Sequence, residues 1–126
     1  MTKGKILWVD DEIDLLRPHI MLLEQRGYSV ATANNGEDAL AIAQEQTPPF
    51  DLVFLDEMMP GMGGLRTLEL LKQQSPATPV VMLTGWGAFM KEDDSAPDEL
   101  DALLSKPPRS RELRETLSRL LPCKPA

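Results

Sequence analysis

Four places in this 126-residue chain carry residue types that can do chemistry together. Val9 is followed by Asp10, Asp11 and Glu12, and the apolar run Leu52-Val53-Phe54-Leu55 ends on Asp56 before a loop rich in Pro and Gly. The run Val80-Val81-Met82-Leu83 ends on Thr84, and Lys106 follows Leu103-Leu104-Ser105. An acid at the mouth of an apolar run costs free energy unless something requires it there. A carboxylate can act as a nucleophile toward phosphorus, and such chemistry depends on positioning and on neutralising charge at the transferring oxygens. Clustered carboxylates repel one another unless a cation compensates. The cation that suits them is a hard divalent ion such as Mg2+, which takes oxygen ligands and shares a site with phosphate oxygens. No His or Cys stands in these stretches, which argues against zinc.

The elements that would bring these places together follow from periodicity. Lys5 to Val9 reads as a strand, and Ile13, Leu16, Ile20 and Leu23 recur at helical spacing until Gly27. Pro18 lies inside that pattern, where a helix interior would lose up to ~3 kcal/mol, so the helix is expected to start near Asp14, with Asp14 as its cap. Tyr28 to Ala33 is a second strand, and Asn34-Asn35-Gly36 turns into a helix from Glu37 to Gln46 with Ala39, Leu40 and Ala43 inward. Leu52 to Leu55 is a third strand, and Leu65 to Gln74 a helix with Leu65, Leu68 and Leu71 inward. Pro79 to Thr84 is a fourth strand, Leu100 to Ser105 a fifth, and Arg109 to Leu121 an amphipathic helix with Leu113, Leu117, Leu120 and Leu121 inward. Between the last two strands the acidic segment Lys91 to Asp101, interrupted by Pro97, predicts a short or irregular helix. Strands alternating with helices predict an α/β fold, a doubly wound five-stranded parallel sheet with helices on both faces and right-handed crossovers. In such a sheet the strand ends share one edge, so Asp10, Asp11, Asp56, Thr84 and Lys106 converge there.

Composition narrows the classes. One domain is expected over residues 1–126, with a core from about 5 to 121. The net charge of -7 argues against direct binding of nucleic acid or of an anionic membrane, both of which need a basic face. No membrane span or signal peptide is legible, and the single cysteine, Cys123, has no partner for an internal disulfide, so a cytoplasmic location is expected. His19, the only histidine, is read as a helix-surface residue and not as a ligand. Trp8 and Met82 are read as packing residues, and the loop Gly61 to Gly64 as a turn, since it lacks the spacing and the lysine of a nucleotide-binding loop.

Taken jointly, Val9-Asp10-Asp11-Glu12, Leu55-Asp56-Glu57-Met58-Met59-Pro60-Gly61, Leu83-Thr84-Gly85 and Lys106-Pro107 resemble the receiver domain of bacterial two-component response regulators, of the chemotaxis-regulator-like type, over about Lys5 to Leu121. The resemblance implies a flavodoxin-like strand order 2-1-3-4-5. It implies that Asp56 accepts a phosphoryl group from a phosphohistidine of a sensor kinase or phosphotransfer protein. It further implies Mg2+, with Mn2+ or Ca2+ as substitutes, bound by Asp11, Asp56 and the backbone carbonyl of Met58, with Asp10 acting through water or as a second ligand. Thr84 and Lys106 would contact the phosphoryl oxygens, and the Lys106-Pro107 bond would be cis. Such a domain is a signalling module, not an enzyme, whose surface and partner binding change on phosphorylation. The donor would dock on exposed members of Asp14 to Leu22 and on Pro107-Pro108, and a downstream protein target or a homodimer would read the result.

Some positions depart from the family pattern. Gly63 stands where an acid is common, and Leu103 stands where many receivers carry Tyr or Phe, a ring whose rotation reports phosphorylation. With the acids around Pro97, this predicts a remodelled output face. Met58 and Trp86, two residues beyond Asp56 and Thr84, are placed to shade the acyl phosphate from water, which predicts slow autodephosphorylation. Two other functions use the same features. One is an unphosphorylated interaction module with the receiver fold. The other is an aspartyl-phosphate phosphatase, whose usual second acid would fall at Met58. A flavin-binding reading lacks the Ser/Thr/Gly-rich phosphate loop after the first strand.

Overall fold

Five apolar runs form parallel strands: β1 (Gly4–Val9), β2 (Tyr28–Ala33), β3 (Leu52–Asp56), β4 (Val80–Thr84) and β5 (Ala102–Ser105). They lie side by side in the order β2-β1-β3-β4-β5. Between and after them run α1 (Arg17–Gln25), α2 (Gly36–Glu45), α3 (Gly64–Gln74) and α4 (Ser110–Leu120). The computed structural model describes residues 4–46, 49–57, 61–84, 101–105 and 108–121. The expected irregular helix within Lys91 to Asp101 and the remodelled output face fall mainly outside these residues.

The sheet is buried on both faces, as a parallel sheet must be. Alternate strand residues take opposite sides. Ile6, Trp8, Leu52, Phe54, Val81, Leu83 and Leu104 pack against Ile20 and Leu23 of α1 and Leu113 and Leu117 of α4. Leu7, Val9, Val53, Leu55, Met82 and Leu103 pack against Ala39 of α2 and Leu68 and Leu71 of α3. Trp8 and Met82 are fully buried, as packing residues. Trp8 stacks on Phe54 across the β1–β3 pair, with ring centroids 4.6 Å apart.

Helix starts follow side-chain chemistry. Asn35 caps α2, its side chain accepting from the Asp38 N–H at 2.7 Å. At α4 the Glu112 carboxylate reaches back to the Arg109 N–H at 3.1 Å. The start of α1 differs from expectation. Asp14 is no cap. Ile13–Leu16 form a 3-10 turn, and the α-helix begins at Arg17, so that Pro18 falls in its first turn. The reason is the missing Pro18 N–H, which costs little only where no intrahelical acceptor is available. A second correction concerns Leu65, expected inward but 46% exposed. The buried stripe of α3 is Gly64, Thr67, Leu68 and Leu71, and Leu65 stands about 100° away from Gly64 around the helix.

Candidate functional site

Strand register decides how the acids meet. Val9 of β1 is paired with Leu55 of β3, so the next residues, Asp10 and Asp56, leave the sheet at the same level. The Asp10 N–H donates to the Ala33 carbonyl at 3.0 Å, continuing the β1–β2 ladder one step beyond Val9. On the other side Asp56 is paired with Leu83, and the Glu57 N–H donates to the Leu83 carbonyl at 3.0 Å. Thr84 and Ser105 close β4 and β5 in register, so Lys106 follows directly beyond Thr84's neighbour.

The side chains at this edge are enclosed unevenly. Asp10, Asp56 and Thr84 are buried, whereas Asp11 is exposed. One carboxylate oxygen of Asp10 accepts from the Glu12 N–H at 2.7 Å, which fixes the turn after β1. A carboxylate oxygen from each of Asp10, Asp11 and Asp56 lies within 4.8 Å of the others. Three acids this close from two strand ends form a hard oxygen-donor set with one side open to solvent. That chemistry fits Mg2+ or Ca2+ and does not fit zinc.

The residues singled out from sequence divide into two groups. Asp10, Asp11 and Asp56 are brought together, and Thr84 ends the neighbouring strand. Leu103 is a core residue on the side covered by α2 and α3. Lys106, Met58 and Trp86 lie outside the described residues. Pro108, expected among the docking contacts, is buried, and its carbonyl faces His19.

Two residues make contacts that the sequence reading did not assign to them. The first is Gly64, read only as part of a turn. A β-carbon there would stand 2.6 Å from the Asp56 carbonyl oxygen and 2.7 Å from the Glu57 Cα, so only glycine lets α3 begin against the end of β3. A glycine at the expected start of a helix behind an acidic loop was the available signal. The second is His19. It lies on α1 with its ring half-buried, and Nε2 is 3.0 Å from the Pro108 carbonyl oxygen. No local pattern could report a partner 89 positions away.

The sequence matches the response regulator receiver domain over residues 6–118. The chain belongs to this family. It is 40% identical over 103 residues to the uncharacterized transcriptional regulatory protein YkoG of Bacillus subtilis, a match covering 82% of this chain and 41% of that one. This receiver domain spans about half, or less, of the length of such curated relatives. Among solved structures, a response regulator receiver domain protein from Clostridium thermocellum shares 30% identity at a TM-score of 0.83, with 94% of each chain covered. TrrA from Thermotoga maritima, in complex with Mg2+ and BeF, shares 29% identity at a TM-score of 0.77, covering 93% of this chain and 98% of that one. The 2-1-3-4-5 sheet is thus a receiver sheet, and the chain is of the class that serves two-component phosphorelays as phosphoacceptor. Among the described residues, no helix is long and apolar enough to cross a membrane.

Proposed function

We propose that residues 1–126 form one receiver domain whose phosphoacceptor is Asp56. The metal ligands are Asp10, Asp11, Asp56 and the backbone carbonyl of Met58, and Thr84 and Lys106 contact the transferred phosphoryl oxygens. The observation that carries this reading is the approach of three carboxylate oxygens to within 4.8 Å at the end of β1 and β3. Such crowding of like charge has no value for folding and needs a cation to be tolerated. The solved relative in complex with Mg2+ and BeF supports the choice of metal.

In the reaction, one Asp56 carboxylate oxygen forms a bond to phosphorus while the phosphorus–nitrogen bond of a phosphohistidine breaks. The imidazole leaves with the bonding pair and takes up a proton from solvent, and Asp56 becomes an acyl phosphate. Bound Mg2+ supplies charge neutralisation at the phosphoryl oxygens. Burial of Asp56 limits the directions from which phosphorus can approach its carboxylate. Asp10, held by the Glu12 N–H, presents its carboxylate in a fixed orientation. The Thr84 hydroxyl donates to a phosphoryl oxygen once one is present, and the ammonium of Lys106 adds a second positive contact. A hydroxyl that follows the phosphoryl group makes the state of Asp56 readable at the surface.

The donor is a phosphohistidine of a sensor kinase or phosphotransfer protein, a partner found in the cytoplasm. It docks beside the first helix, where Leu15 and Met21 are 71% and 54% exposed. The output is a changed affinity for a downstream protein or for a second copy of the chain, and the domain is not an enzyme acting on a separate substrate. Incubation with acetyl phosphate and Mg2+ tests the reading. Wild type should gain the mass of one phosphoryl group, and Asp56→Asn or added EDTA should abolish the gain. A gain that persists in Asp56→Asn would remove Asp56 from its role.

A further inference from the structure

Away from the acids, a cavity of about 240 Å3 lies between the last turns of α2 and α3 and the strand starts beneath them. The two helices meet tightly near their first turns, where a β-carbon on Gly36 would collide with the Thr67 hydroxyl. Ala43 of α2 and Leu71 of α3 line the space left toward their other ends. The apolar wall is completed by the buried side chains of Phe50, Val53 and Val80. None of the described residues lining the cavity is charged. The strands β3 and β4 start here and end on Asp56 and Thr84, so the cavity and the acid cluster lie at opposite ends of the same two strands.

The hydrogens of two hydroxyls on its wall can be assigned. Thr78 Oγ1 lies 3.1 Å from the Phe50 carbonyl oxygen, which only accepts, so the single hydroxyl hydrogen of Thr78 is used there. Ser75 Oγ lies 2.6 Å from Thr78 Oγ1 and must therefore donate to it. Both hydrogens are then committed. What Ser75 Oγ still presents is its lone pairs, so it can only accept from a further group. On the exposed side, Gln44 and Gln74 add neutral amides. A wall that is mainly apolar and uncharged, with one oriented acceptor, selects a neutral ligand that carries an N–H or O–H.

We propose that this cavity is a binding site for a small, neutral, mainly apolar molecule with one hydrogen-bond donor. The apolar body lies against Phe50, Val53, Leu71 and Val80, and the donor bonds to Ser75 Oγ. An apolar cavity of about 150 Å3 can hold benzene, so this one has room for a bicyclic ring of indole size. A charged ligand would lose its hydration without gaining a counter-charge and is excluded. The site stands independently of the phosphoacceptor reading, since it shares no residue with the acid cluster.

Indole and benzofuran test this as a pair, because they share a shape and only indole carries an N–H. Each is titrated into the intact chain and followed in nitrogen-15 amide spectra. Saturable shifts centred on Val53, Leu71, Ser75 and Val80 are expected with indole. Benzofuran should bind the same residues about fivefold more weakly, the worth of one net hydrogen bond. Ser75→Ala should bring indole down to the benzofuran level and leave benzofuran unchanged. Ala43→Phe, which fills the space from α2, should abolish the binding of both, and Ala43→Leu is a smaller filling should the larger one not fold. Indole that gives no saturable shifts at these residues in the millimolar range overturns the proposal, as do shifts centred elsewhere. Equal binding of the two probes to wild type overturns it as well, because Ser75 would then select nothing, and so does binding of benzoate as strong as that of indole.

Discussion

Gly64 and Asp56 are in backbone contact distance: a β-carbon on Gly64 would lie 2.6 Å from the Asp56 carbonyl oxygen. The Gly64 N–H also donates to the Glu57 carbonyl at 3.0 Å, so the first turn of α3 is bonded to the loop that leaves the acidic strand. The position of Asp56 therefore depends on a residue eight places later having no side chain. Gly64→Ala should move the end of β3 or the start of α3. The expected cost is about 1–3 kcal/mol, typical of forced overpacking. Urea unfolding and the rate of uptake from acetyl phosphate should both report the change, and a variant with wild-type stability would show that the contact is easily relieved.

Asp11 is the exposed member of the acid cluster, so its removal separates metal binding from folding. Asp11→Asn should weaken Mg2+ binding by at least about tenfold, given that even partners behind metal ligands are worth 10–100-fold. Without metal the same variant should be as stable as wild type or slightly more so, because one repulsive charge is gone. Thermal unfolding with EDTA and with Mg2+ checks both halves. Equal stabilisation of the two proteins by Mg2+ would exclude Asp11 as a ligand.

Leu113 is fully buried between α4 and the sheet, whereas Leu15 is 71% exposed. Leu113→Ala should cost about 2–5 kcal/mol through lost burial and the cavity left behind. Leu15→Ala should stay within about 0.5 kcal/mol. Urea midpoints of the two variants give the comparison, and similar values would contradict the core assignment.

Met58 and Trp86 follow Asp56 and Thr84 by two residues each. If their bulk keeps water from the acyl phosphate, the double variant Met58→Asn, Trp86→Glu should lose its phosphoryl group faster than wild type. The half-life after removal of donor is the measurement. An unshortened half-life would assign the lifetime to other groups.

Much of the fold was legible because strands and helices leave periodic signals in adjacent residues. Tyr28–Ala33 forms β2 with the bounds read from sequence, and β1, β3 and β4 differ by a residue at one end. Where the reading failed, a single residue's position within a turn mattered. Pro18 shifted the start of α1 into a 3-10 turn, and one step of helical phase put Leu65 outside.

The residue types alone determined which chemistry is available: acids at two strand ends, a hydroxyl at a third and a lysine beyond a fourth can serve oxygen-ligated metal and phosphorus. Strand order and register determined that Asp10 and Asp56 stand at one level, because Val9 pairs with Leu55 and not with a neighbour. Tertiary packing likewise turned His19 from a helix residue into the donor to Pro108, and Gly64 from a turn residue into a point of closest approach. Periodicity records which face a residue takes within its own element. Contacts between residues far apart in the chain arise only when whole elements settle against one another, and no local run of sequence contains that distance.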